Sequence, residues 1–490
     1  MLSRVRSATL LGIEAIPLSV ECDLAPGIPQ VLIVGLPDTA VREAAARVRA
    51  ALRNAGFRIP PRRITVSLAP ADLRKQGAGL DLPIALGILA AAGEVPRDRL
   101  ERLLVLGELA LDGRVRGVPG CLPAALMARR ERIPEMVVPE GNLAEALAIP
   151  GPSVHGVADL LEAVRVLRGE RTPDPPPGPV FAPAPPPCGG DLSEVRGQAH
   201  ARRALEVAAA GGHHLLMVGP PGCGKTMLAR RLPGILPPLR QEEAIEATCI
   251  YSAAGLLREP GLLRLRPFRA PHHTISGVGL VGGGPGPRAG EATLAHHGVL
   301  FLDELAEFGR ATLDVLRQPL EEGSVLITRG NRAVRLPARF TLVAAMNPCP
   351  CGQLGRSDRP CACTPATVAN YRARVSGPLL DRFDIQVEVP PLPLRDFESA
   401  PAVEGSAVVA QRVATARGRL DREPAAPIEL EARRILHRAV RSLGLSARAH
   451  DAILKVARTI AHLDGALSVG PTHVGEATQY RALERNPDAA

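Results

Sequence analysis

The sequence predicts an α/β protein with two successive α/β units, a proline-rich spacer between them and a helical C-terminal region. Three observations predict this organisation. Short β-rich runs alternate with helical runs through residues 1–170 and again through 191–395, a pattern typical of sheets covered by helices. In the second unit the pattern predicts a mostly parallel sheet. The segment 171–190 is so dense in proline that it favours an extended spacer. The remainder, 396–490, has helical patterning from about residue 403.

The first 170 residues have the pattern of an α/β domain. The β-rich runs are VLIVGLP, RITVSLAP and RLLVLGELAL, and the helical runs are AVREAAARVRAALRNAG, PIALGILAAAG and LPAALMARRERI. The opening MLSRVRSATLLGIEAIPLSVECDL superficially suggests a signal peptide, but Glu14 interrupts its apolar run, and we interpret it as strand. No uncharged run approaches the ~20 residues of a membrane span. We therefore expect a cytoplasmic protein with no membrane partner.

The positive charge of the chain is almost entirely arginine. The formal net charge is +9, and lysine occurs only at Lys75, Lys225 and Lys455. A basic excess permits nucleic-acid binding without establishing it. Tryptophan is absent and tyrosine occurs three times, so the sequence offers no evident aromatic platform for stacking single-stranded bases.

A glycine-rich motif in HHLLMVGPPGCGKTMLARRL predicts a nucleotide site. Its spacing is Gly219-x4-Gly224-Lys225-Thr226, between a predicted strand and a predicted helix. Glycines let backbone N–H groups curl around phosphates, the lysine reaches the β- and γ-phosphates, and the threonine ligates Mg²⁺. We predict that ATP binds the loop formed by Gly219, Pro220, Pro221, Gly222, Cys223, Gly224, Lys225 and Thr226.

Two further predicted strands end in polar residues that suit the same site. GVLFLDEL has the pattern of a buried strand and ends in Asp303-Glu304, which places one carboxylate near Mg²⁺ and a second near the attacking water. We predict that Asp303 binds Mg²⁺ together with Thr226 and that Glu304 is the general base. FTLVAAMN ends at Asn347, which could position that water, although an asparagine at a strand end is more often a turn former.

These strand ends resemble those of AAA+ ATPases, and longer segments resemble one family among them. VRGQAHARRALEVAAAGGHHLLMVGPPGCGKTMLA, FRAPHHTIS, VGGGPGPRAGEATLAHHGVLFLDELAEF and MNPCPCG are similar to the ComM/YifB family of Mg-chelatase-like ATPases nearly word for word. The resemblance runs from the N-terminus to about Arg485. It implies a P-loop AAA+ core at 191–395, a helical lid at 396–490 and a homohexameric ring with ATP sites between subunits.

The resemblance also implies roles for single side chains. Asn347 would be the sensor 1 residue, Arg382 in LLDRFD the arginine finger, and Arg448 in SARA the sensor 2 arginine. A finger reaches the γ-phosphate on a neighbouring subunit and neutralises transition-state charge there. Residues 265–290 resemble the helix-2 insert of this clade, and residues 325–337 resemble its presensor hairpin.

The predicted hairpin VLITRGNRAVRLP would present positive charge to a substrate channel. Arg329, Arg332 and Arg335 lie on or beside its tip, and we predict that they contact the DNA backbone. Solvated arginines on an ordinary hairpin are the alternative. His272 and His273 could line the same region or be a local packing feature, and we assign them no metal.

Residues 1–170 resemble the S5-type proteolytic domain of Lon proteases, in its ChlI-type form. RKQGAGLDLPIALGILAAAG and LVLGELALDGRVRGVPGCLPAALMARR carry this resemblance. Aligned on the Lon pattern, the serine position falls at Gly79 and the lysine position at Leu122, and neither can act as nucleophile or base. Lys75 precedes the loop, with no hydroxyl near it to activate. We expect no peptidase activity and a role in assembly, DNA contact or ring stabilisation.

The resemblance favours a DNA motor over two other functions. In this interpretation ATP hydrolysis drives branch migration of recombination intermediates, an activity that the family associates with natural transformation and that would involve recombination proteins as partners. The alternative is an ATPase subunit that remodels a metal-insertion enzyme, as in Mg-chelatase, but that subunit is not built with the Lon-like domain. Gly79 and Leu122 oppose a third function, ATP-dependent proteolysis.

Four of the nine cysteines lie in MNPCPCGQLGRSDRPCACTP. They form two C-x-C pairs, Cys349 with Cys351 and Cys361 with Cys363, which could supply four thiolates to one tetrahedral Zn²⁺. Free buried thiols or a redox pair are the alternatives. We expect a structural zinc knuckle that stiffens the loop after Asn347.

Overall fold

The chain folds into two compact units. The computed structural model describes residues 2–75, 77–175, 189–259, 261–284, 288–329, 332–356, 359–392, 404–423 and 426–481. The N-terminal unit comprises Met1–Pro183, Gln241–Leu263 and Pro285–Ala289, and the C-terminal unit comprises Ala184–Arg240, Arg264–Gly284 and Gly290–Ala490. Most of the predicted spacer 171–190, at 176–188, and the region around Arg485 lie outside the described residues.

The described residues form the following elements in chain order. The strands are β1 (Leu2–Leu11), β2 (Glu14–Ala25), β3 (Gln30–Val34), β4 (Arg63–Ala69), β5 (Leu103–Val105), β6 (Glu108–Leu109), β7 (Val115–Arg116), β8 (Glu135–Pro139), β9 (Ser153–Val157), β10 (Leu215–Val218), β11 (Phe268–Arg269), β12 (Gly282–Gly283), β13 (Arg288–Ala289), β14 (Val299–Leu302), β15 (Ser324–Arg329), β16 (Arg332–Pro337), β17 (Thr341–Met346) and β18 (Ile385–Glu388). The helices are α1 (Thr39–Asn54), α2 (Asp81–Ala92), α3 (Arg97–Leu100), α4 (Cys121–Arg130), α5 (Leu143–Leu147), α6 (Leu160–Arg168), α7 (Ala199–Gly211), α8 (Lys225–Arg231), α9 (Gln241–Ala253), α10 (Gly277–Val281), α11 (Glu291–Leu294), α12 (Arg310–Asp314), α13 (Arg317–Glu322), α14 (Pro365–Arg372), α15 (Gly377–Leu380), α16 (Ser406–Arg422), α17 (Leu430–Leu443), α18 (Ala447–Leu463) and α19 (Pro471–Gln479).

A seven-stranded mixed sheet forms the frame of the N-terminal unit. Its strand order is β3-β4-β2-β1-β5-β8-β9. β1 and β2 make an antiparallel hairpin from the pair Leu2–Asp23 to the pair Leu11–Glu14, which confirms the interpretation of the opening stretch as strand. α2 packs against this hairpin and α1, and eleven of its twelve residues are buried. From Leu82 onward the helix is apolar on all sides, as expected for a helix that a sheet and its neighbours enclose.

A segment from the middle of the chain completes the N-terminal unit. α9 packs on α4, and Cys249 belongs to the same apolar core as Cys121 and Leu122. The backbone N–H of Gly120 donates to the carbonyl of Ser252 at 2.9 Å. The sequence-based division placed residues 241–263 inside the 191–395 core, whereas in the structure they belong to the compact unit formed by the first 183 residues.

A five-stranded parallel sheet organises the C-terminal unit, as the sequence predicts. Its order is β11-β14-β17-β10-β18, and all four neighbouring pairs are parallel. Two apolar cores cover its faces, since successive residues of a strand point to opposite sides. In parallel strands the carboxyl ends meet at one edge, and this edge receives the loops after β10, β14 and β17.

Four C-terminal helices, α16 to α19, share one of these cores with the sheet. Asp384, just before β18, links sheet and helices: it lies 3.3 Å from His213 Nδ1 and 3.3 Å from Lys455 Nζ on α18. The longest described helices, α16 and α18, have 17 residues each. None of the helices in the described ranges is long and apolar enough to cross a membrane.

Candidate functional site

Glycine is required by the backbone of the loop between β10 and α8. A Cβ at Gly219 would lie 2.2 Å from the carbonyl oxygen of Val389, so only glycine fits there. Gly222 and Gly224 have φ of +79° and +95°, in the left-handed region that favours glycine. The glycines at the ends and centre of the motif thus shape a tight loop between strand and helix, as the sequence predicts for residues 219–226.

The Lys225 side chain folds over this loop. Its Nζ donates hydrogen bonds to the carbonyls of Gly219 at 2.6 Å and Pro220 at 2.8 Å, and to Oδ1 of Asn347 at 3.2 Å. Burial lowers the pKa of Lys225. A bound phosphate would exchange neutral carbonyls for charged acceptors, which raises the pKa of an ammonium and strengthens its hydrogen bonds.

Asn347 reaches the same place from the adjacent strand. Val218 at the end of β10 pairs with Met346 at the end of β17, so the glycine loop and Asn347 leave neighbouring strands at one edge of the sheet. The structure therefore brings together two predicted residues, Lys225 and Asn347, that are 122 positions apart.

Thr226 and Asp303 meet in a geometry that suits a divalent cation. Thr226 Oγ1 donates to Asp303 Oδ2 at 2.6 Å, which joins the first turn of α8 to the residue after β14. A hydroxyl and a carboxylate are oxygen ligands of the kind that Mg²⁺ prefers, and the ion usually completes its shell with water and substrate phosphates. The residues present therefore fit the predicted Mg²⁺.

Glu304 follows Asp303 in a left-handed conformation, with φ of 53°. Its N–H donates to Asp303 Oδ1 at 3.0 Å, and its half-exposed carboxylate lies 3.3 Å from Nδ1 of His273. The His273 ring packs against His272, at 4.1 Å between centroids, and edge-on to Phe308 at 6.4 Å. A carboxylate positioned in this way can accept a proton from water once the histidine no longer contacts the carboxylate.

Sequence reasoning considered His273 only as a channel-lining or packing residue and missed its contact with Glu304. A signal was present in the order of the strands. β11 is parallel to β14 and next to it, so the residues that follow each strand emerge at the same edge. Pairing these two strands from the sequence would have placed His273 beside the predicted base.

Arg382 lies at the other edge of the sheet from the glycine loop. Ile385, the first residue of β18, pairs with Leu215, the first residue of β10, and Arg382 precedes that pair. Lys225 instead follows the carboxyl end of β10. A four-residue strand is about 13 Å long, and Arg382 and the glycine loop of its own chain lie beyond opposite ends of these strands.

Arg448 lies beside Arg382 at the edge where β10 and β18 begin, here called the amino edge. Its Nη1 is 3.8 Å from Oδ2 of Asp381, and the Arg382 guanidinium forms an ion pair with Glu321. Burial lowers the pKa of Arg382, and the charges of Arg448 and Arg317 lower it further. The two arginines that the family resemblance implies are thus neighbours, remote from Lys225 of the same chain.

The four predicted cysteine ligands converge on one point. Sγ of Cys349 lies 3.4 Å from Sγ of Cys351 and 3.6 Å from Sγ of Cys361, and the last two sulfurs are 3.6 Å apart. All four ligand atoms, with Cys363, lie within 4.8 Å of one another. Zn–S bonds of about 2.3 Å imply sulfurs about 3.8 Å apart in a tetrahedron. The cluster therefore fits a tetrathiolate metal site.

The cysteine loop lies against the nucleotide loop. Backbone N–H groups of Gln353 and Ala362 are directed at Cys351 and lower the pKa of its thiol to about 6. Gly352, between Cys351 and Gln353, has φ of +75°, and a Cβ there would lie 2.5 Å from Cδ of Pro221 in the loop after β10. The backbone of the cysteine loop thus packs directly on the loop predicted to bind ATP.

The predicted DNA-contact hairpin is present as β15 and β16. The strands pair from Ser324–Pro337 to Arg329–Arg332, and Leu326 pairs with Arg335, whose side chain is exposed. The side chains of Arg329 and Arg332 lie outside the described part of the structure, so only their backbone register is placed beside the tip.

The N-terminal unit has apolar packing at the two positions aligned with the Lon dyad. A Cβ at Gly79 would lie 3.6 Å from Val118, and Leu122 is fully buried on α4. Lys75 is also buried, its Nζ donates to the carbonyl of Pro70, and burial lowers its pKa.

Comparison with known proteins finds relatives along the whole chain. The family model described as magnesium chelatase, subunit ChlI, matches residues 191–397; those described as subunit ChlI of Mg-chelatase and as its C-terminal part match 20–142 and 403–481. The chain is 44% identical over 503 residues to the uncharacterized protein YifB of Escherichia coli, with 99% of this chain and 98% of the relative covered. It is 43% identical over 505 residues to the competence protein ComM of Haemophilus influenzae, with the same shares covered. A shorter match, 28% identical over 143 residues, joins 28% of this chain to 26% of Lon protease 2 of Bacillus subtilis.

Proposed function

The chain belongs to the ComM/YifB family of magnesium-chelatase-like ATPases, and on that basis we propose that it is an ATP-driven motor that moves branched DNA. The observation that carries this proposal is the convergence of Lys225, Thr226, Asp303 and Asn347 at one sheet edge, with Arg382 and Arg448 at the other. The competence relative supports DNA taken up in transformation as the substrate, and branch migration of recombination intermediates as the reaction.

Each residue of the carboxyl edge has a task in ATP hydrolysis. Lys225 binds the β- and γ-phosphates, and Thr226 and Asp303 hold Mg²⁺, whose charge offsets that of the phosphates. Glu304 accepts the proton of the attacking water, and Asn347 orients that water through its amide. His273, 3.3 Å from Glu304, occupies the carboxylate of the base and restrains hydrolysis until DNA or a neighbouring subunit displaces the histidine.

The amino edge makes hydrolysis depend on assembly. Arg382 cannot reach the nucleotide of its own chain if the sheet lies between them, so it serves a site on a neighbouring subunit. Because the same edge of each subunit then meets the opposite edge of the next, the contact is head-to-tail and closes into a ring. We propose a homohexamer in which Arg382 and Arg448 together complete the site of the adjacent subunit.

DNA passes through this ring against the hairpins. Arg335 is exposed on β16, and Arg329 and Arg332 flank the tip by register, so six hairpins would place rings of positive charge along a channel. Arginine contacts with phosphate position a duplex without reading its sequence. This suits a motor that must act on any recombination intermediate, together with recombination proteins.

Migration of a labelled four-way junction tests the proposal. The wild-type chain with ATP and Mg²⁺ should convert the junction to duplex products, whereas Glu304→Gln should bind ATP and DNA without converting the junction. Arg335→Gln is the matched variant for the hairpin and should weaken DNA binding while leaving ATP turnover without DNA unchanged. A wild-type protein that hydrolyses ATP and leaves the junction intact would refute the motor.

The second candidate is an ATPase subunit that remodels a metal-insertion enzyme. The magnesium-chelatase description of all three matched family models favours it. The measurement that separates the two is stimulation of ATP turnover. Branched DNA should accelerate turnover by a motor, whereas a chelatase-type subunit would respond to its partner enzyme and ignore DNA.

We also propose that Cys349, Cys351, Cys361 and Cys363 hold a structural Zn²⁺. Protein purified under reducing conditions should contain one zinc per chain by atomic emission. Cys361→Ser should lose the metal, whereas Cys22→Ser, at a buried cysteine of the N-terminal unit, should keep it. If fully reduced wild-type protein contains no zinc and takes up none on titration, the four thiols are free.

A further inference from the structure

One face of α1 carries arginines and the other packs in the core. The buried residues of the helix are Val41, Ala44, Val48, Ala51 and Leu52. Arg42, Arg49 and Arg53 stand at i, i+7 and i+11, which places them on one face of a helix, and all three are exposed. Eleven residues of helix measure about 16 Å along the axis, so the arginine stripe has that length.

The chain after α1 turns back and closes a groove along this stripe. The groove has a volume of about 810 Å³ and is lined by Arg49, Arg53 and Arg58. Phe57 and Pro60, both half-buried, are among its apolar lining residues. The groove therefore combines guanidinium groups with an apolar lining.

The charge of this segment is unbalanced. Residues 39–63 contain seven arginines and one acidic residue, Glu43, a net charge of +6 in a chain whose total is +9. Arg47 pairs with Glu43 at 3.8 Å and with the buried Asp81 at 2.7 Å. For the other six arginines, no carboxylate of the described residues lies within 4.0 Å. They are Arg42, Arg49, Arg53, Arg58, Arg62 and Arg63, and all are exposed. Like charges four residues apart on a helix repel, so an anion in the groove would stabilise it.

We propose that this groove, the arginine groove, binds the phosphate backbone of nucleic acid. The proposal rests on the DNA motor function and adds a second contact surface, outside the hairpins, to it. The phosphates of each strand of a duplex rise by about 3.4 Å per nucleotide along the helix axis, so a stripe lying parallel to that axis spans about five of them. Guanidinium groups pair with phosphate through two parallel hydrogen bonds, and the apolar lining at Phe57 and Pro60 can pack on sugars.

The shape of the surface favours nucleic acid over other anionic partners. A layer of lipid headgroups is flat and would contact only the rims of a concave groove. An acidic protein would need its own matching ridge of carboxylates, whereas a nucleic-acid strand presents regularly spaced charge on a narrow ridge. Contacts limited to phosphate and sugar carry no sequence information, so the arginine groove binds without sequence preference.

The test compares two triple variants of the full-length chain. In the groove variant, Arg49, Arg53 and Arg58 are changed to glutamine; in the control variant, three exposed arginines of the same unit outside the groove, Arg102, Arg129 and Arg165, are changed to glutamine. Binding of a fluorescent duplex is measured between 50 and 200 mM salt. If each groove arginine neutralises one phosphate, the slope of log K against log salt should decrease by about 2.7 in the groove variant. The control variant should keep the wild-type slope.

Further measurements separate the outcomes. Basal ATP turnover and melting temperature should match the wild type in both variants, and the corresponding triple change to lysine should retain most of the salt slope, because charge is kept. A groove variant that binds DNA like the control variant would refute the groove and leave the motor standing. A wild-type chain that does not bind DNA would overturn both proposals. A groove variant that loses its ring on sedimentation, or loses only binding to phosphatidylserine vesicles, would assign the groove to subunit or lipid contact instead.

Discussion

Removal of the Arg382 guanidinium should abolish hydrolysis in a way that a neighbouring subunit can repair. Arg382 precedes β18 at the amino edge, about 13 Å of strand away from the carboxyl edge that carries Lys225. If the guanidinium acts on the adjacent subunit, Arg382→Ala should lower kcat for ATP by about 10³- to 10⁵-fold, as for known arginine fingers. Its effect on the dissociation constant of ATP should be small, because ground-state binding relies on the glycine loop.

Subunit mixing distinguishes action in trans from action in cis. Arg382→Ala subunits keep their base, and Glu304→Gln subunits keep their finger. In an equal, random mixture, a site is complete when the first subunit supplies Glu304 and its neighbour supplies Arg382, which holds for about one site in four in a head-to-tail ring. The mixture should therefore recover about a quarter of wild-type turnover, although each variant alone is inactive.

The assay is steady-state phosphate release after subunit exchange, with ring assembly checked by sedimentation. Glu321→Gln is the matched control, because it removes the ion-pair partner of Arg382 and leaves the guanidinium in place; it should keep turnover near the wild-type value. Two results would contradict the reasoning: turnover within tenfold of wild type for Arg382→Ala alone, or no recovery in a mixture whose subunits have exchanged.

The contacts of the glycine loop, the general base and the sheet edge each give a further expectation. Gly352→Ala should weaken ATP binding severalfold in a fluorescence titration, because the new methyl group would lie 2.5 Å from Cδ of Pro221; unchanged affinity would show that the cysteine loop does not constrain the nucleotide loop. His273→Ala should raise ATP turnover without DNA, since a hydrogen bond to a carboxylate makes it a weaker base; a fall would mean that the histidine orients Glu304 for catalysis. Burial raises the pKa of Asp384, but its histidine and lysine neighbours outweigh this and hold it below the usual value, so its stabilisation is complete above about pH 4 and is lost as pH falls further. Urea denaturation of the Asp384→Asn variant should accordingly show a smaller loss of unfolding free energy between about pH 4 and 2 than the wild type; an equal loss would contradict the assignment.

Local patterns in the sequence were sufficient for the parallel sheet and for the residues at its carboxyl edge. A strand pattern followed by Gly219 or by Asp303 predicts both the strand and the position of the functional residue at its end. The strand pattern and that residue lie within about ten positions of each other. The convergence of four cysteines could also be predicted from spacing, since two C-x-C pairs separated by a short polar loop can close on one point.

The features that sequence reasoning missed all depend on contacts between surfaces that are distant in the sequence. α9 has an ordinary helical pattern, and nothing local indicates that Cys249 packs with Cys121 of the N-terminal unit. The same holds for His273 beside Glu304, and for Gly352, whose backbone packs on Pro221 more than a hundred positions away. Periodicity identifies the face of an element that is buried, but it does not identify the partner that buries it.

The amino edge connects the residues around the proposed finger to helix α18. Arg382 lies between Asp381, whose carboxylate is 3.8 Å from Arg448, and Asp384, whose carboxylate is 3.3 Å from Lys455. Arg448 and Lys455 both belong to α18, two turns of helix apart, so one rigid helix contacts the residues on both sides of the finger. A displacement of α18 relative to the sheet would therefore disturb the contacts of the residues that flank Arg382. In the proposed ring, a shift of α18 on binding of nucleotide or DNA would therefore be expected to alter hydrolysis on the neighbouring subunit.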